Sequence, residues 1–382
     1  MRKLLYRKIE RKVSVVFVML IASLLCPLFS IGEVKTNAID IKTLNGSGES
    51  LYVIDQPGKY YLSADIIGKQ GKSAITISAA NVQLDLGGYI LQGENETVSG
   101  IVVQGKLERI KISNGSILDW SKSGILADKT NRLVLSDIEC SGNQEQGFMV
   151  GNNAELNNCS ASKNGGHGLA GGMGCTVASF WSNKNHGAGI VLGDRSRIND
   201  VSSLGNGQAG IRTGSGSKIS DVILCNNGKS GLIAGRSSII TLAIASSNIG
   251  SGIQTSYSSV IKNCAVDLNM GNGIVAGDGS VLSDCTSNDS KKHGIVTAGG
   301  VTVSHCSVRS NMRAGIRSSR GSQVMGCTAS NNTTGFQSID SMVRFMDCLA
   351  IDNNIGIEYK GHAIIMDSTA VGNRSFDILV HE

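Results

Sequence analysis

Proline is nearly missing from this 382-residue chain, which has only Pro27 and Pro57. Beyond about residue 60, therefore, nothing in the sequence interrupts a backbone hydrogen-bond ladder, and continuous sheet is permitted. Charge is sparse too, at 17% of residues. No paired C-x-x-C occurs among the cysteines, so the common structural zinc motifs are excluded. Asp-Asp pairs are absent altogether. What the chain does have is a hydrophobic fraction of 41%, enough to bury a core, and 49 glycines.

The amino terminus reads as an export signal over residues 1–32. Arg2, Lys3, Arg7, Lys8, Arg11 and Lys12 precede an apolar run from Val13 to about Ile31. Small residues follow at Ser30 and Gly32, and again at Thr36 and Ala38, so cleavage falls after residue 32 or as late as 38. The run is long for a signal, which leaves an uncleaved anchor as the alternative. Removing the segment leaves 29 basic residues against 29 acidic ones. The formal charge of +5 thus belongs to the signal, and nucleic acid is not an expected partner.

The rest of the chain is periodic. A glycine followed by Ile, Leu or Phe recurs at Gly100, Gly124, Gly147, Gly168, Gly189, Gly210, Gly231, Gly252, Gly273, Gly294, Gly315, Gly335 and Gly356. From Gly147 to Gly315 every interval is 21 residues. Other columns keep the same step. An aliphatic column runs Leu156, Val177, Ile198, Ile219, Ile240, Ile261, Leu282, Val303, Val324. Three residues further on, Cys264, Cys285, Cys306 and Cys327 follow one another. A third column holds Asn164, Asn185, Asn206, Asn227, Asn248, Asn269, Ser290, Asn311 and Asn332.

Twenty-one residues would suit a leucine-rich repeat, but the leucine consensus and a ten-residue helical pattern are both missing. Each coil instead carries three short stretches in which apolar residues alternate, the strand period. Gly273-Ile-Val-Ala, Ser280-Val-Leu and Asp284-Cys-Thr-Ser287 are one such set. The expected fold is therefore all-β: a right-handed, three-sided parallel β-helix of about 13 coils. Residues 39–99 would form an amino-terminal cap and first coils, and residues 100–382 the regular repeats. Coils about 4.8 Å apart turn equal positions into ladders. The aliphatic and cysteine columns then point inward, and the asparagines bond from coil to coil at a turn. The repeated glycine is expected to allow a tight turn before the first strand.

Two early segments carry a family resemblance. Pro57-Gly-Lys-Tyr-Tyr-Leu, followed by Ala74-Ile-Thr-Ile and by Asn81-Val-Gln-Leu-Asp-Leu-Gly-Gly-Tyr89, is similar to the first coils of bacterial parallel β-helix repeat proteins. With the later glycine, cysteine and asparagine columns, roughly residues 50–380 resemble the pectin-lyase-like superfamily. That resemblance implies the fold. It leaves activity open, because the superfamily includes lyases, hydrolases, epimerases and proteins without known catalysis.

The chemistry of such enzymes finds little support in the residues. Two positions after the repeated glycine, the outward column reads Met149, Ala170, Val191, Arg212, Ile233, Gln254, Val275, Val296, Arg317, Gln337, Glu358. One acid cannot build the carboxylate cluster of a calcium-dependent lyase. Gly166-His167-Gly168 resembles a polygalacturonase motif, but its partner aspartates are absent and Gly168 is itself the repeat glycine. The Asp-Pro-His-Asp motif of alginate epimerases is also missing.

Two surface groups stand out. Asp200, Asp221, Asn263, Asp284 and His305 share one column, and Asp284 with His305 on the next coil is a candidate acid–base pair. Lys291, Lys292, Arg313, Arg317 and Arg320 form a basic patch on two coils, a candidate site for a uronate or sulfate group of a glycan. In both cases a solvated polar surface is the alternative. The nine cysteines beyond the signal read as small buried hydrophobes, and no cofactor or metal is expected.

The expectation is a secreted, periplasmic or cell-surface β-helix acting without catalysis as an adhesive or glycan-contacting scaffold. Its partner would be a polysaccharide, with no membrane insertion after cleavage. An open carboxy-terminal end, where Asp377-Ile-Leu-Val380 reads as a last strand, would allow end-to-end self-association. The competing expectation is a polysaccharide lyase, hydrolase or epimerase using Asp284 and His305 or the basic patch.

Overall fold

The computed structural model describes residues 38–381, and the export segment expected over residues 1–32 lies outside the described residues. From Ile39 the chain is one compact unit of short parallel strands. A 3-10 turn at Ile41–Thr43 is the only helix among the described residues.

Each coil carries three strands, as the alternation requires. In the coil after Gly231 they are Leu232–Ala234, Ile239–Thr241 and Ile244–Ser246. Each pairs in parallel with its equivalent on the next coil, through Leu232↔Ile253, Ile240↔Ile261 and Ala245↔Val266. The first strands form a 16-stranded sheet in chain order, here the first face, and the second and third strands together form a 25-stranded sheet. In coils such as that of Arg197–Leu204 the second and third strands run on as one.

The coil number is sixteen, not the thirteen that the repeated glycines count. Strands Ser50–Ile54 and Ser73–Ile77 precede the first repeated glycine, and Phe376–His381 follows the last. Tyr52 pairs with Ile75, Ile75 with Ile101 and Ile378 with Ile357, so Leu51, Ala74 and Asp377 stand where the other coils have glycine. The fold tolerates other residues at its ends, and the marker disappears there.

Direction changes at single left-handed residues. In the coil after Gly189 these are Arg195, Asp200 and Gly205, with φ of 57°, 53° and 63°. The polar column of Asp200, Asp221, Asn263, Asp284 and His305 is one of these corners, with φ between 50° and 56°. Asn, Asp and His tolerate this conformation better than other side chains. Gly326, at φ 58°, takes the same place one coil after His305.

The repeated glycine has a different reason from the turn expected of it. None of the thirteen has a positive φ. A Cβ at Gly147, Gly168, Gly210 or Gly231 would instead stand 2.6–2.7 Å from the carbonyl oxygen of the same glycine one coil on, and 2.8–2.9 Å from an asparagine Nδ2. Only a bare Cα fits between the neighbouring coil and the asparagine stack.

The core is a narrow column of fully buried side chains such as Ile198, Ile219, Ile240, Ile261 and Leu282. Beside it the stacked cysteines are free, and Cys264, Cys285, Cys306, Cys327 and Cys348 are all buried. Each thiol donates to the carbonyl two residues earlier, across the left-handed corner, as from Cys264 to Lys262 at 3.2 Å and from Cys306 to Ser304 at 3.3 Å. Burial pushes the Cys159 thiol up to about 12 and the Cys348 thiol up to about 11, so both stay protonated. In this column cysteine is a small apolar residue with one weak donor to place.

Candidate functional site

The cations of the basic patch stand at and beside the first face. Lys292 and Arg313 lie in equivalent turns of successive coils, where the Arg313 N–H donates to the Lys292 carbonyl at 3.1 Å. Arg317 follows on strand Ala314–Ser318, in register with Val296 and half-buried. Lys291 and Arg320 flank the group, one at the turn before these strands and the other at the turn after them, both exposed. Among the described residues none of the five side chains makes a hydrogen bond or an ion pair.

At the centre is a residue that the basic column alone did not single out. His293 is only 8% exposed. Its Nδ1 accepts the Ala314 N–H at 3.2 Å, and its own N–H donates to Asn272 Oδ1 at 3.2 Å. Burial, with the charges of Arg317, Arg313 and Lys292 around it, pulls the imidazole down to about 4. The ring is therefore neutral near pH 7 and carries its proton on Nε2. The charges of Lys292, Arg313 and Arg317 thus act on a neutral buried ring, and no ion pair among the described residues neutralises them. Like charges a few ångströms apart repel by about 1 kcal/mol per pair even in water. A carboxylate or sulfate placed between them would reverse that sign, and arginine can bind either through two parallel hydrogen bonds.

His167 of the Gly166-His167-Gly168 segment holds the same place six coils earlier. Its Nδ1 accepts the Ala188 N–H at 2.8 Å, and burial together with Arg212 lowers its affinity for protons. A histidine just before the repeated glycine is a cap for the next coil, and that position was the available signal.

Asp284 and His305 lie elsewhere, on the corner between the second and third strands. The His305 ring faces onward to Gly326, where a Cβ would stand 3.0 Å from His305 Cδ2. Asp284 is on the preceding coil. No hydrogen bond or ion pair joins the two among the described residues. This corner lies away from the first face, which the basic patch borders.

Elsewhere the column two residues after the repeated glycine is mostly small or apolar, with Arg212, Gln254 and Gln337 as polar exceptions. The one acid of that column, Glu358, is held by Thr334, Gln337 and His381 at 3.2, 3.0 and 2.9 Å. Among the described residues no cluster of three His, Cys, Asp or Glu side chains is placed to hold a metal. No helix among them is long and apolar enough to cross a membrane. A shallow depression of about 360 Å³ opens beside Tyr257.

Comparison with known proteins agrees with the architecture. Residues 251–382 match the family described as "Right handed beta helix region". No curated protein matches the sequence. Tailspike protein 3 of bacteriophage CBA120 is similar in structure, at 10% identity and a TM-score of 0.53, over 81% of this chain and 61% of that one. The A-module of mannuronan C-5 epimerase AlgE4 from Azotobacter vinelandii aligns at 12% identity and a TM-score of 0.43, over 90% and 97% of the two chains. A double mutant of the periplasmic alginate epimerase AlgG aligns at 11% identity and a TM-score of 0.45, over 86% and 83%. Identities this low speak to fold alone. The chain folds as a right-handed parallel β-helix.

Proposed function

We propose that this is an exported, non-catalytic β-helix that contacts an acidic glycan through Lys292, Arg313 and Arg317, with Lys291 and Arg320 at the rim. The observation that supports the reading is that Lys292, Arg313 and Arg317 all lower the proton affinity of buried His293 while no ion pair among the described residues neutralises them. The smooth outline of the solenoid supports it as well. Every interval between Gly147 and Gly356 is 20 or 21 residues, which leaves no room for the long loops that wall a catalytic cleft.

Calorimetric titration of the purified protein with sulfated and uronate hexasaccharides tests the reading. Binding should weaken steeply as salt rises, because each contact pairs one fixed charge with one anion. Arg313→Ala/Arg317→Ala should weaken it by about 10-fold or more. Equal binding by the double variant would sink the proposal. Release of unsaturated or epimerised product, lost in Asp284→Asn or His305→Ala, would establish an enzyme instead.

A further inference from the structure

The first face carries a second group of side chains, three coils before Arg317. Tyr257 is 46% exposed in the turn after strand Ile253–Thr255. Arg236, at the equivalent place one coil earlier, donates from Nη1 to the Tyr257 hydroxyl at 2.8 Å, with its guanidinium carbon 5.9 Å from the ring centroid. One coil later the equivalent residue is Asp278, whose Oδ1 accepts the Gly299 N–H at 2.7 Å. Its other oxygen has no protein partner among the described residues. Gly277 beside it has no room for a side chain, since a Cβ would stand 2.5 Å from the Ser256 carbonyl carbon. Contact between coils thus keeps Gly277 bare beside the exposed tyrosine, and a depression of about 360 Å³ lies between Tyr257, Gln254, Asp278 and Ala298.

We propose that this depression binds one pyranose ring of a glycan, stacked on Tyr257. A pyranose has a face of C–H groups and a rim of hydroxyls. The negative face of the tyrosine ring attracts the first. The Gln254 amide offers the second both a donor and an acceptor, and Asp278 offers a fixed acceptor. The size is at the low end of the roughly 300–1,000 Å³ of small-molecule pockets, which suits a single ring. Arg236 already holds the aromatic ring in place, so binding orders little that was free.

The site rests on the glycan reading above but not on its charges. Gln254, Val275, Val296 and Arg317 are in register on four successive coils. At about 4.8 Å per coil, roughly 14 Å separates Gln254 from Arg317. A saccharide lying along the solenoid axis would reach both Tyr257 and the cations.

The test uses the full chain, with maltohexaose, cellohexaose, xylohexaose and mannohexaose as neutral probes and a uronate hexamer as the charged one, followed by saturation-transfer and titration NMR. At least one neutral hexaose should bind with a Kd on the order of 1 mM, independent of salt. Tyr257→Ala should weaken it about 10-fold, and Tyr257→Phe by no more than about 3-fold, since the ring face is kept. Arg313→Ala/Arg317→Ala should leave it unchanged. Failure of all four neutral probes, or neutral binding indifferent to Tyr257→Ala, overturns the site. Salt-sensitive binding of the uronate hexamer alone would then leave the charge reading standing. Neutral binding through Tyr257 with no uronate binding would do the reverse.

Discussion

Asn164 and Asn185, stacked on neighbouring coils, share one oxygen. Oδ1 of Asn185 accepts the side-chain amide of Asn164 at 2.8 Å and its backbone N–H at 3.0 Å. The Asn164 amide also donates back to the Cys140 carbonyl at 3.1 Å. Each buried asparagine therefore satisfies its own amide and one backbone donor, and a slip of one residue would break every rung together. The stack runs from Asn143 to Asn269 and from Asn311 to Asn373. Between them stands Ser290, whose buried Oγ has no partner among the described residues.

Ser290→Asn should close that gap. A neighbouring serine does not obstruct a rung, because Asn206 donates to Ser203 Oγ at 3.0 Å while keeping its place in the stack. Ser287 stands in the same relation to residue 290. A gain of about 1 kcal/mol is expected from the added hydrogen bonds. The urea midpoint should rise and the Asn269 amide should exchange more slowly. An unchanged midpoint would mean that the stack fixes register without adding stability.

Gly210→Ala should cost about 3 kcal/mol, since the new Cβ meets the Gly231 carbonyl oxygen at 2.7 Å and Asn227 Nδ2 at 2.8 Å. Gly205→Asn is the control. Gly205 has φ 63°, the nearest atom to an added Cβ is 3.6 Å away, and Asn226 holds the same corner at φ 58°. Equilibrium denaturation of both variants should show a loss only in the first.

His293 should make stability depend on pH. The folded ring titrates at about 4, below its ordinary value of 6.5. Between these values the unfolded chain binds a proton that the folded chain refuses, so this contribution is complete above about pH 6.5 and is lost as the pH falls toward 4. The full loss is on the order of 3 kcal/mol. His293→Asn keeps an acceptor for Ala314, as Asn272 already accepts for His293 in the same column. The variant should show a flatter dependence of the urea midpoint between pH 7 and pH 4.5, and a slope equal to the parent's would contradict the assignment.

Leu268 occupies a left-handed corner at φ 58° and is 57% exposed. Asp289 takes that corner on the next coil at φ 52°. The left-handed region costs an L-residue about 1–2 kcal/mol and asparagine less, so Leu268→Asn should stabilise by roughly 1 kcal/mol. A lower midpoint would show that the leucine makes a contact that offsets its backbone.

The period, the three strands per coil, the inward cysteines and the stacked asparagines are all legible in the sequence. A solenoid brings equal positions of the repeat into contact, so its interactions are written along the chain as columns. Columns also mislead where one residue type answers to two causes. Asp284 and His305 share a polar column because their corner is left-handed, and no hydrogen bond or ion pair joins them among the described residues. The repeated glycine is bare because of its neighbour's carbonyl rather than its own φ. Where Leu51, Ala74 and Asp377 replace it, coils go uncounted.

The amino-acid order by itself therefore determined the architecture, since each coil needs only a copy of itself as a neighbour. What only the tertiary structure decided is what non-repeating residues meet across coils. The charges of Lys292, Arg313 and Arg317 act on His293, and Arg236 braces Tyr257, because strands tens of residues apart in the chain lie about 4.8 Å apart in space. Burial and electrostatic surroundings arise from that stacking, and neither is carried by any single coil.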